Sequence, residues 1–333
     1  MTDEKLKIGI CEQFDDGAQT HFKRLLDGYN FEFIEFDTPL DIVKTLLDGE
    51  LDLAGISGLS AFDLGFSAES NVSGLEISTI LPRRDPTLVI VGKNNLDHLP
   101  RRGKIFVESE LIRRQLKRFR NDLDILSKTD LGLDELTNND LIEKLEELYG
   151  SDKLDGYVLE RSLWNVFGKK GRRHTLGMQI GNDSSRQRFI PPPLRGFSLL
   201  ISRVGFPHSI LKDINDEQSM ISFRVESKLF LELGKDELLG LNASIRRIST
   251  ISKSLLEEGG IISDILEEKI SDIEKFDENL EKPVQMVEVI LETLDNKGQI
   301  TYSLEKKYIP SDDEYRILKI CLDEWNRIIE LKN

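Results

Sequence analysis

The sequence predicts two α/β lobes followed by a smaller α+β domain. Over the first ninety residues, short apolar runs alternate with amphipathic stretches, and the same alternation returns over residues 104–160. After residue 215 it gives way to a helix, a hairpin and a second helix. A chain of 333 residues is long enough for two or three domains. We therefore expect two mainly parallel sheets and a third core.

The first lobe is predicted from five periodic segments. In order they form a strand at residues 6–10, a helix at 18–29, a strand at 31–37, a helix at 39–50 and a strand at 51–57. The segment SGLSAFDLG that follows is rich in glycine and serine, which predicts a turn. The segment ILPRRDP then leaves the lobe, and Pro82 and Pro86 suit a rigid crossover.

The second lobe repeats this pattern. Its segments predict a strand at residues 104–109, a helix at 110–122, a strand at 123–129, a helix at 138–150 and a strand at 154–160. Two α/β lobes joined in this way usually hold a ligand in the cleft between them. The interlobe cleft is therefore the predicted binding site.

The third domain is predicted to begin with a helix over residues 219–234. A charged helical stretch follows over residues 252–276, and then a hairpin whose turn is NKG. The last helix is predicted from Pro310, with Asp312 and Asp313 in its first turn. We assign residues 1–90 and 186–206 to the first lobe, 91–185 to the second lobe and 215–333 to the C-terminal domain.

Bulk composition excludes several classes of protein. The chain is 39% hydrophobic and 32% charged, without an apolar run of about eighteen residues that could span a bilayer. No signal-peptide pattern occurs at the start, so we expect a cytoplasmic location. Cys11 and Cys321 form neither a disulfide framework nor a CxxC pair, and the four histidines lack metal-ligand spacing. We expect no metal site and no membrane contact.

The net charge of −15 is unevenly distributed. Residues 82–205 carry 23 Lys and Arg against 17 Asp and Glu, whereas the rest of the chain carries 22 against 43. The basic clusters either line a site for carboxylates or phosphates or lie on exposed helix faces. Nucleic acid is a weaker interpretation, because the chain is acidic and no aromatic residues interleave the basic ones. The acidic C-terminal helices suit either solvent or a protein partner.

Six strings follow one another in a specific order between Leu6 and Gly234. They are LKIGI with Gln19 ten residues after its glycine, DGELDLA, ILPRRDP, QL followed by RNDL, LDGYVLERSLWNVFG and IPPPLRGFSLLISR. In this order they resemble strings of the porphobilinogen deaminase (hydroxymethylbilane synthase) family, among them "GEIDIA", "LPREDP" and "PAxGQGALGIExR". The resemblance implies a three-domain α/β fold, with two lobes like those of type-II periplasmic binding proteins and a smaller C-terminal α+β domain.

The family polymerises a small pyrrole with carboxylate side chains, releasing ammonia, on a dipyrromethane cofactor held by a cysteine thioether. This chemistry needs an anchor nucleophile, a carboxylate that stabilises cationic intermediates, and arginines. The resemblance places Ser60 at the family's aspartate position and about Glu237 at its cysteine position. Asp63 lies three residues later and would substitute only in a rebuilt loop. We therefore assign no catalytic residue and expect no dipyrromethane cofactor.

The predicted ligand-binding residues also come from the resemblance. They are Gln19, Ser57, Ser60, Ser109, Arg113, Arg114 and Arg195. Arg195 stands where the family has glutamine, and Arg113 and Arg114 stand two positions late, about 200° around their helix. Cys11, at the family's carboxylate-binding arginine, is either a buried structural thiol or a nucleophile in the cleft.

The preferred hypothesis is a catalytically degenerate relative, associated with tetrapyrrole biosynthesis, that binds a small anionic ligand such as a pyrrole carboxylate in the cleft. One alternative is an active hydroxymethylbilane synthase, a transferase, with a non-standard cofactor attachment. Another is a two-lobed small-molecule-binding protein unrelated to tetrapyrroles. A phosphoribosyltransferase is disfavoured because no glycine-rich phosphate loop is recognisable.

Overall fold

The computed structural model describes residues 5–11, 16–67, 72–136, 138–167, 172–178, 188–247, 285–309 and 314–330. These residues form three sheets, two of five strands and one of three. The predicted arrangement of two α/β lobes and a smaller α+β domain is confirmed. Within these ranges, no helix is both long enough and apolar enough to cross a membrane.

The first lobe is a five-stranded sheet packed against helices. Its strands, numbered in chain order, are β1 (Leu6–Cys11), β2 (Phe31–Phe36), β3 (Leu53–Ser57), β4 (Leu75–Ile80) and β10 (Ser198–Arg203). Its helices are α1 (Ala18–Leu25), α2 (Pro39–Leu47) and α3 (Gly58–Asp63). The sheet order is β2-β1-β3-β10-β4, with β1 parallel to β2 and β3 and with β10 antiparallel to β3 and β4. This order agrees with the predicted type-II periplasmic-binding-protein topology.

Capping residues set where two of these helices begin. The hydroxyl of Thr38 accepts a backbone hydrogen bond at the start of α2, and Pro39 occupies the first helical position. The turn predicted at residues 57–65 was wrong, because α3 forms there. Ser57 caps α3, and its hydroxyl accepts the backbone N–H of Ser60 at 3.3 Å.

The second lobe has the same sheet order as the first. Its strands are β5 (Leu88–Val91), β6 (Lys104–Phe106), β7 (Asp124–Leu126), β8 (Gly156–Glu160) and β9 (Arg173–Leu176). Its helices are α4 (Glu110–Phe119), α5 (Lys128–Leu131), α6 (Asn138–Gly150) and α7 (Arg161–Phe167). The order is β7-β6-β8-β5-β9, with β5 antiparallel to both neighbours. Since β5 lies in this sheet, the second lobe begins before the predicted boundary at residue 90.

Two segments connect the lobes. The first crossover, residues 81–87, leads from β4 into β5, and the second crossover, residues 188–197, leads into β10. The second crossover hydrogen-bonds to the first, because the backbone N–H of Arg84 donates to Gly196 O at 3.0 Å. The φ of Gly196 is 81°, and a Cβ there would lie 2.5 Å from the carbonyl oxygen of Arg84. Glycine is therefore required where the crossovers meet.

The third domain is a three-stranded antiparallel sheet with two helices. Its elements are α8 (Glu217–Glu232), β11 (Gly240–Arg247), β12 (Gln285–Leu294), β13 (Thr301–Tyr308) and α9 (Glu314–Glu330). The predicted hairpin of β12 and β13 is confirmed, whereas β11 was not predicted. The charged helical stretch predicted over residues 252–276, and the predicted helix start at Pro310, lie outside the described residues.

The third domain and the first lobe share one apolar core. The ring of Phe62 in α3 lies 5.2 Å from that of Phe230 in α8, and the ring of Phe197 in the second crossover lies 5.4 Å from that of Phe223. The same cluster extends to Trp325 in α9. Because buried aromatic contacts stabilise strongly, these residues fix the third domain on the first lobe.

Candidate functional site

A buried ion pair joins the two crossovers to the third domain. Arg83 Nη1 lies 2.7 Å from Oε1 of Glu226 in α8, and Arg83 Nε donates to Arg195 O at 2.9 Å. The carboxylate of Glu226 also accepts the backbone N–H groups of Leu194 at 2.8 Å and Ala243 at 2.7 Å. Burial raises the pKa of Glu226, and Arg83 opposes that rise. Both oxygens of Glu226 are therefore occupied by the fold.

The next residue, Arg84, pairs with Asp16, which directly precedes Gly17 and α1. Its guanidinium contacts the Asp16 carboxylate, and its Nη1 donates to Asp16 O at 2.5 Å. The other Asp16 oxygen accepts the backbone N–H of Gly196 at 3.0 Å. The two side chains are 10% and 9% exposed. This pair therefore connects the start of α1 to both crossovers.

A second ion pair crosses between the lobes. Glu160 is the last residue of β8 in the second lobe, and its Oε1 lies 3.0 Å from Nη1 of Arg195 in the second crossover. Burial raises the pKa of Glu160, and Arg195 opposes that rise, whereas the neighbouring carboxylate of Asp16 adds to it. We call the set of Asp16, Arg84, Glu160 and Arg195 the seam.

The lobes approach each other closely beside the seam. Gly17 has a φ of 91°, and a Cβ there would lie 2.6 Å from Cγ2 of Val166 and 3.4 Å from the carbonyl oxygen of Ser162. Val166 and Ser162 belong to α7, which directly follows β8. A larger residue at position 17 would separate the lobes. The start of α1 and helix α7, which follows β8, therefore face each other at the seam.

Three buried polar atoms of the seam have no hydrogen-bond partner among the described residues. They are Arg84 Nε, Arg195 Nε and Glu160 Oε2. Two of these atoms are N–H donors, and the third is a carboxylate acceptor. Buried polar atoms are almost always paired with protein groups, ordered water or a ligand. The seam therefore holds two buried donors and one buried acceptor that a water molecule or a small polar ligand would satisfy.

His21 lies close to the seam and is neutral at pH 7. Its Nδ1 is 3.0 Å from Oγ of Ser198 at the start of β10, and its side chain is buried. Burial lowers the pKa of His21 to about 4, and the nearby Arg84 and Arg24 contribute in the same direction, whereas Asp16 opposes them. His21 therefore supplies a hydrogen-bonding ring rather than a positive charge.

The predicted site residues of the first lobe lie in α1 and at the start of α3. Gln19 is buried, and its Nε2 donates to Glu35 Oε1 at 3.2 Å. The hydroxyl of Ser57 donates to that of Ser60 at 3.0 Å. Asp63 is exposed at the end of α3. The serines are therefore engaged in capping, and Asp63 does not replace the carboxylate that Ser60 lacks.

The second crossover covers the start of α3. A Cβ at Gly58 would lie 2.7 Å from Cβ of Phe197 and 3.0 Å from the carbonyl oxygen of Leu194. Both belong to the segment that also carries Arg195. The predicted residues Ser57 and Ser60 therefore lie beneath the crossover, and Arg195 is the predicted residue that reaches the seam.

The predicted arginines of the second lobe contact their own helix and the third domain instead of the seam. Arg114 is buried, and its Nη1 donates to Leu294 O of β12 at 2.9 Å while its Nε pairs with Glu110 at 3.1 Å. Arg113 is 3.9 Å from Glu110, and Ser109 stands at the start of α4 without a side-chain capping bond. The structure thus places Arg114 in the contact with the third domain instead of the seam, since adjacent helical residues diverge by about 100°.

The predicted anchor position, Glu237, lies in the exposed turn between α8 and β11. In the same turn, Lys235 Nζ is 4.8 Å from the ring centroid of Phe62, so the turn lies near α3. Cys11 is 3% exposed, and its Sγ donates to Asp37 O at 3.2 Å. Cys321 is buried in α9, and burial raises its pKa to about 11. Both thiols are buried.

No group of three or more His, Cys, Asp or Glu side chains in the described ranges is arranged to hold a metal ion. A groove of about 600 Å³ lies between β4 and the start of α8, and none of its lining residues belongs to the seam. Its polar wall is used by the fold, because Oδ1 of Asn215 accepts from Thr79 Oγ1 at 2.8 Å and from Ile80 N at 3.2 Å. The seam is therefore the better candidate site.

Sequence reasoning missed three seam residues, Asp16, Arg84 and Glu160. Two signals were available. Arg84 is the second arginine of ILPRRDP, and Glu160 is a carboxylate placed directly after the apolar run YVL. A charged residue at the carboxyl end of a buried strand is a typical ligand-site position in α/β proteins. Asp16 had no comparable signal.

Comparisons with known proteins give one sequence relative and several remote structures. No family model matches the chain. A protein of Picrophilus torridus named "Probable porphobilinogen deaminase" is 27% identical over 214 residues, which span 62% of this chain and 66% of that protein. The aligned part is thus slightly less than two thirds of the relative's length.

Two of the similar solved structures illustrate how remote the likeness is. An ABC transporter protein of Parabacteroides distasonis is 13% identical with a TM-score of 0.38, and the match covers 81% of this chain and 84% of that one. The aliphatic sulphonate binding protein of Escherichia coli is also 13% identical, with a TM-score of 0.32 and coverages of 80% and 78%. Similarity at this level assigns neither a ligand nor an activity to this chain.

Proposed function

We propose that this chain binds a small carboxylate-bearing ligand, of the pyrrole carboxylate type, in the seam between its lobes. The main support is the pair of arginines, Arg84 and Arg195, each with a buried Nε donor that lacks a partner among the described residues. Guanidinium groups bind carboxylates through parallel N–H donors. Arg195 pairs with Glu160 at the carboxyl end of β8, and ligands in α/β proteins usually bind beyond the carboxyl ends of strands.

We also propose that the chain is a divergent relative of the porphobilinogen deaminases and acts in tetrapyrrole biosynthesis in the cytoplasm. The ordered strings of the sequence and the match to the Picrophilus torridus protein support this relation. The identity is 27% over part of each chain, so this relation does not by itself assign the relative's activity to this chain.

The dipyrromethane cofactor implied by the resemblance does not fit the residues present. Its attachment needs an accessible thiolate, and the anchor position is occupied by Glu237 in an exposed turn. Cys11 is buried and donates a hydrogen bond to a backbone carbonyl, and Cys321 is enclosed with a raised pKa. The carboxylate that would stabilise cationic intermediates is replaced by Ser60, whose hydroxyl contacts Ser57. These substitutions support ligand binding without polymerisation.

The first test is the intact mass of the purified protein before and after incubation with porphobilinogen. We expect the mass computed from the sequence in both samples. A gain of discrete pyrrole units would contradict the proposal and would favour an active synthase with a different anchor. Peptide mapping would then examine Cys11 and Glu237.

The second test is the affinity for porphobilinogen by calorimetry in the wild type, Arg195→Gln and Arg102→Gln. Arg195→Gln removes a seam guanidinium, so we expect affinity to fall about tenfold or more, as expected for loss of a charge-assisted pair. Arg102 is exposed on the outside of the second lobe, 3.8 Å from Asp124, and its replacement should change nothing. Equal affinities in all three proteins would exclude the seam as the binding site.

A further inference from the structure

The two carboxylates of the seam differ in their hydrogen bonds, and that of Glu160 has fewer. Asp16 uses both side-chain oxygens, one for Arg84 and the other for the backbone N–H of Gly196. Glu160 uses Oε1 for Arg195, while its Oε2 is buried without a partner among the described residues. A buried carboxylate oxygen is stable only when it accepts a hydrogen bond. Oε2 is therefore free to bind a donor on a ligand.

The charges that act on Glu160 are balanced. Arg195 and Arg84 are the cations, and Asp16 and Glu108 are the other carboxylates. Glu108 is itself paired with Lys128 at 2.5 Å. Three carboxylates thus lie among three cations. A ligand that carries a positive and a negative group preserves this balance, whereas a singly charged ligand leaves one buried charge uncompensated.

The unpartnered atoms match such a ligand. The Nε atoms of Arg84 and Arg195 donate and suit a carboxylate. Oε2 of Glu160 accepts and suits an ammonium group. Two of the atoms belong to the Arg195–Glu160 pair, and the third belongs to Arg84, whose partner Asp16 accepts the backbone N–H of Gly196 next to Arg195. A small molecule with adjacent amino and carboxylate groups matches these donors and this acceptor.

We propose that Glu160 determines specificity: it selects ligands that carry an ammonium group near a carboxylate by accepting a hydrogen bond from that ammonium at Oε2. This inference rests on the proposed function, because it requires a ligand in the seam. The ligand class is the amino-bearing carboxylic acids, of which porphobilinogen and the α-amino acids are members.

The test compares affinities for matched ligand pairs by calorimetry. The pairs are porphobilinogen with the same pyrrole lacking its aminomethyl group, and α-amino acids with their deaminated acids. We expect the wild type to prefer the aminated member by about tenfold or more, the ratio that one charge-assisted hydrogen bond gives. In Glu160→Gln, which keeps the shape but loses the charge, the preference should fall below about twofold.

The control variant is Glu76→Gln, which removes a carboxylate that pairs with His208 outside the seam. It should keep the wild-type preference, and circular dichroism should show that all variants are folded. If Glu160→Gln keeps the preference, or weakens both members of each pair equally, the inference is overturned, because Glu160 would then only hold the lobes together. Binding of deaminated acids alone would overturn it while leaving the proposed function intact. If no member of either pair binds the wild type, both proposals fail.

Discussion

The crossover pair of Arg83 with Glu226 and the interlobe pair of Arg195 with Glu160 are built from the same residue types and lie in contact, yet they differ in hydrogen bonding. The Glu226 carboxylate accepts Arg83 and two backbone N–H groups, so both oxygens are satisfied. The Glu160 carboxylate accepts Arg195, and its second oxygen is buried without a partner in the described residues.

The difference indicates that the hydrogen bonding of the carboxylate, rather than its burial, separates a structural glutamate from one that could contact a ligand. Burial raises the pKa of both glutamates. A fully bonded carboxylate such as that of Glu226 contributes rigidity, because any change leaves several donors unpaired, although Nη2 of Arg83 has no partner among the described residues. A partly bonded pair leaves an atom for a ligand. The stabilities of Glu226→Gln and Glu160→Gln test this distinction.

The largest effect on stability is expected for Glu226→Gln. The substitution leaves the guanidinium of Arg83 buried without its counter-charge, and breaking a buried pair in this way costs about 3–5 kcal/mol. Urea unfolding at pH 7 measures the loss. Glu76→Gln, at a surface pair, serves as the control and should change the free energy of unfolding by less than about 1 kcal/mol. If Glu226→Gln also changed the free energy of unfolding by less than about 1 kcal/mol, the pair of Arg83 with Glu226 would not have a structural role.

A smaller, pH-dependent effect is expected from His21. Its folded pKa is lowered to about 4 by burial and by Arg84, from the ordinary value of 6.5. The unfolded chain therefore binds the proton first, and stability falls as the pH decreases from 6.5 to about 4, by up to about 3 kcal/mol. Above pH 6.5 both states are neutral and this contribution is constant.

The measurement is urea unfolding of the wild type and His21→Gln at several pH values between 7 and 4. The variant should lose this part of the acid sensitivity, whereas His98→Gln, at an exposed histidine, should keep it. If the free energy of unfolding depended on pH equally in the wild type and His21→Gln, the folded pKa of His21 would not be lowered.

Much of the fold was predictable because it depends on local periodicity. The apolar runs of β1, β3 and β8 and the alternation of β12 and β13 are visible in the sequence. The strand β11 was missed although Leu241, Ala243 and Ile245 alternate with Asn242, Ser244 and Arg246, which is a typical strand pattern. Helix α3 was missed because its glycine and serine composition is also that of a turn.

The site was less predictable because its pairs join distant positions. Asp16 and Arg84 are separated by 68 residues, and Glu160 meets Arg195 only after the chain returns from the second lobe. The resemblance suggested Arg195, which pairs with Glu160, and also Arg114, which the structure directs to Leu294 in the third domain. Helix phase and interdomain contacts decide such orientations, and neither is encoded in a short string.

The smallest effect on stability is expected for Glu160→Gln, and it is the sharpest test of the comparison. Burial disfavours the charged form of Glu160, and Arg195 is a quarter exposed, so it reaches water when its partner becomes neutral. The loss at pH 7 should be below about 1 kcal/mol. Because the folded pKa is raised, the wild type should lose stability relative to the variant as the pH rises above the ordinary value of 4.5. Urea unfolding of both proteins between pH 4 and 7 measures this trend, and a loss as large as that of Glu226→Gln would make Glu160 a structural residue instead.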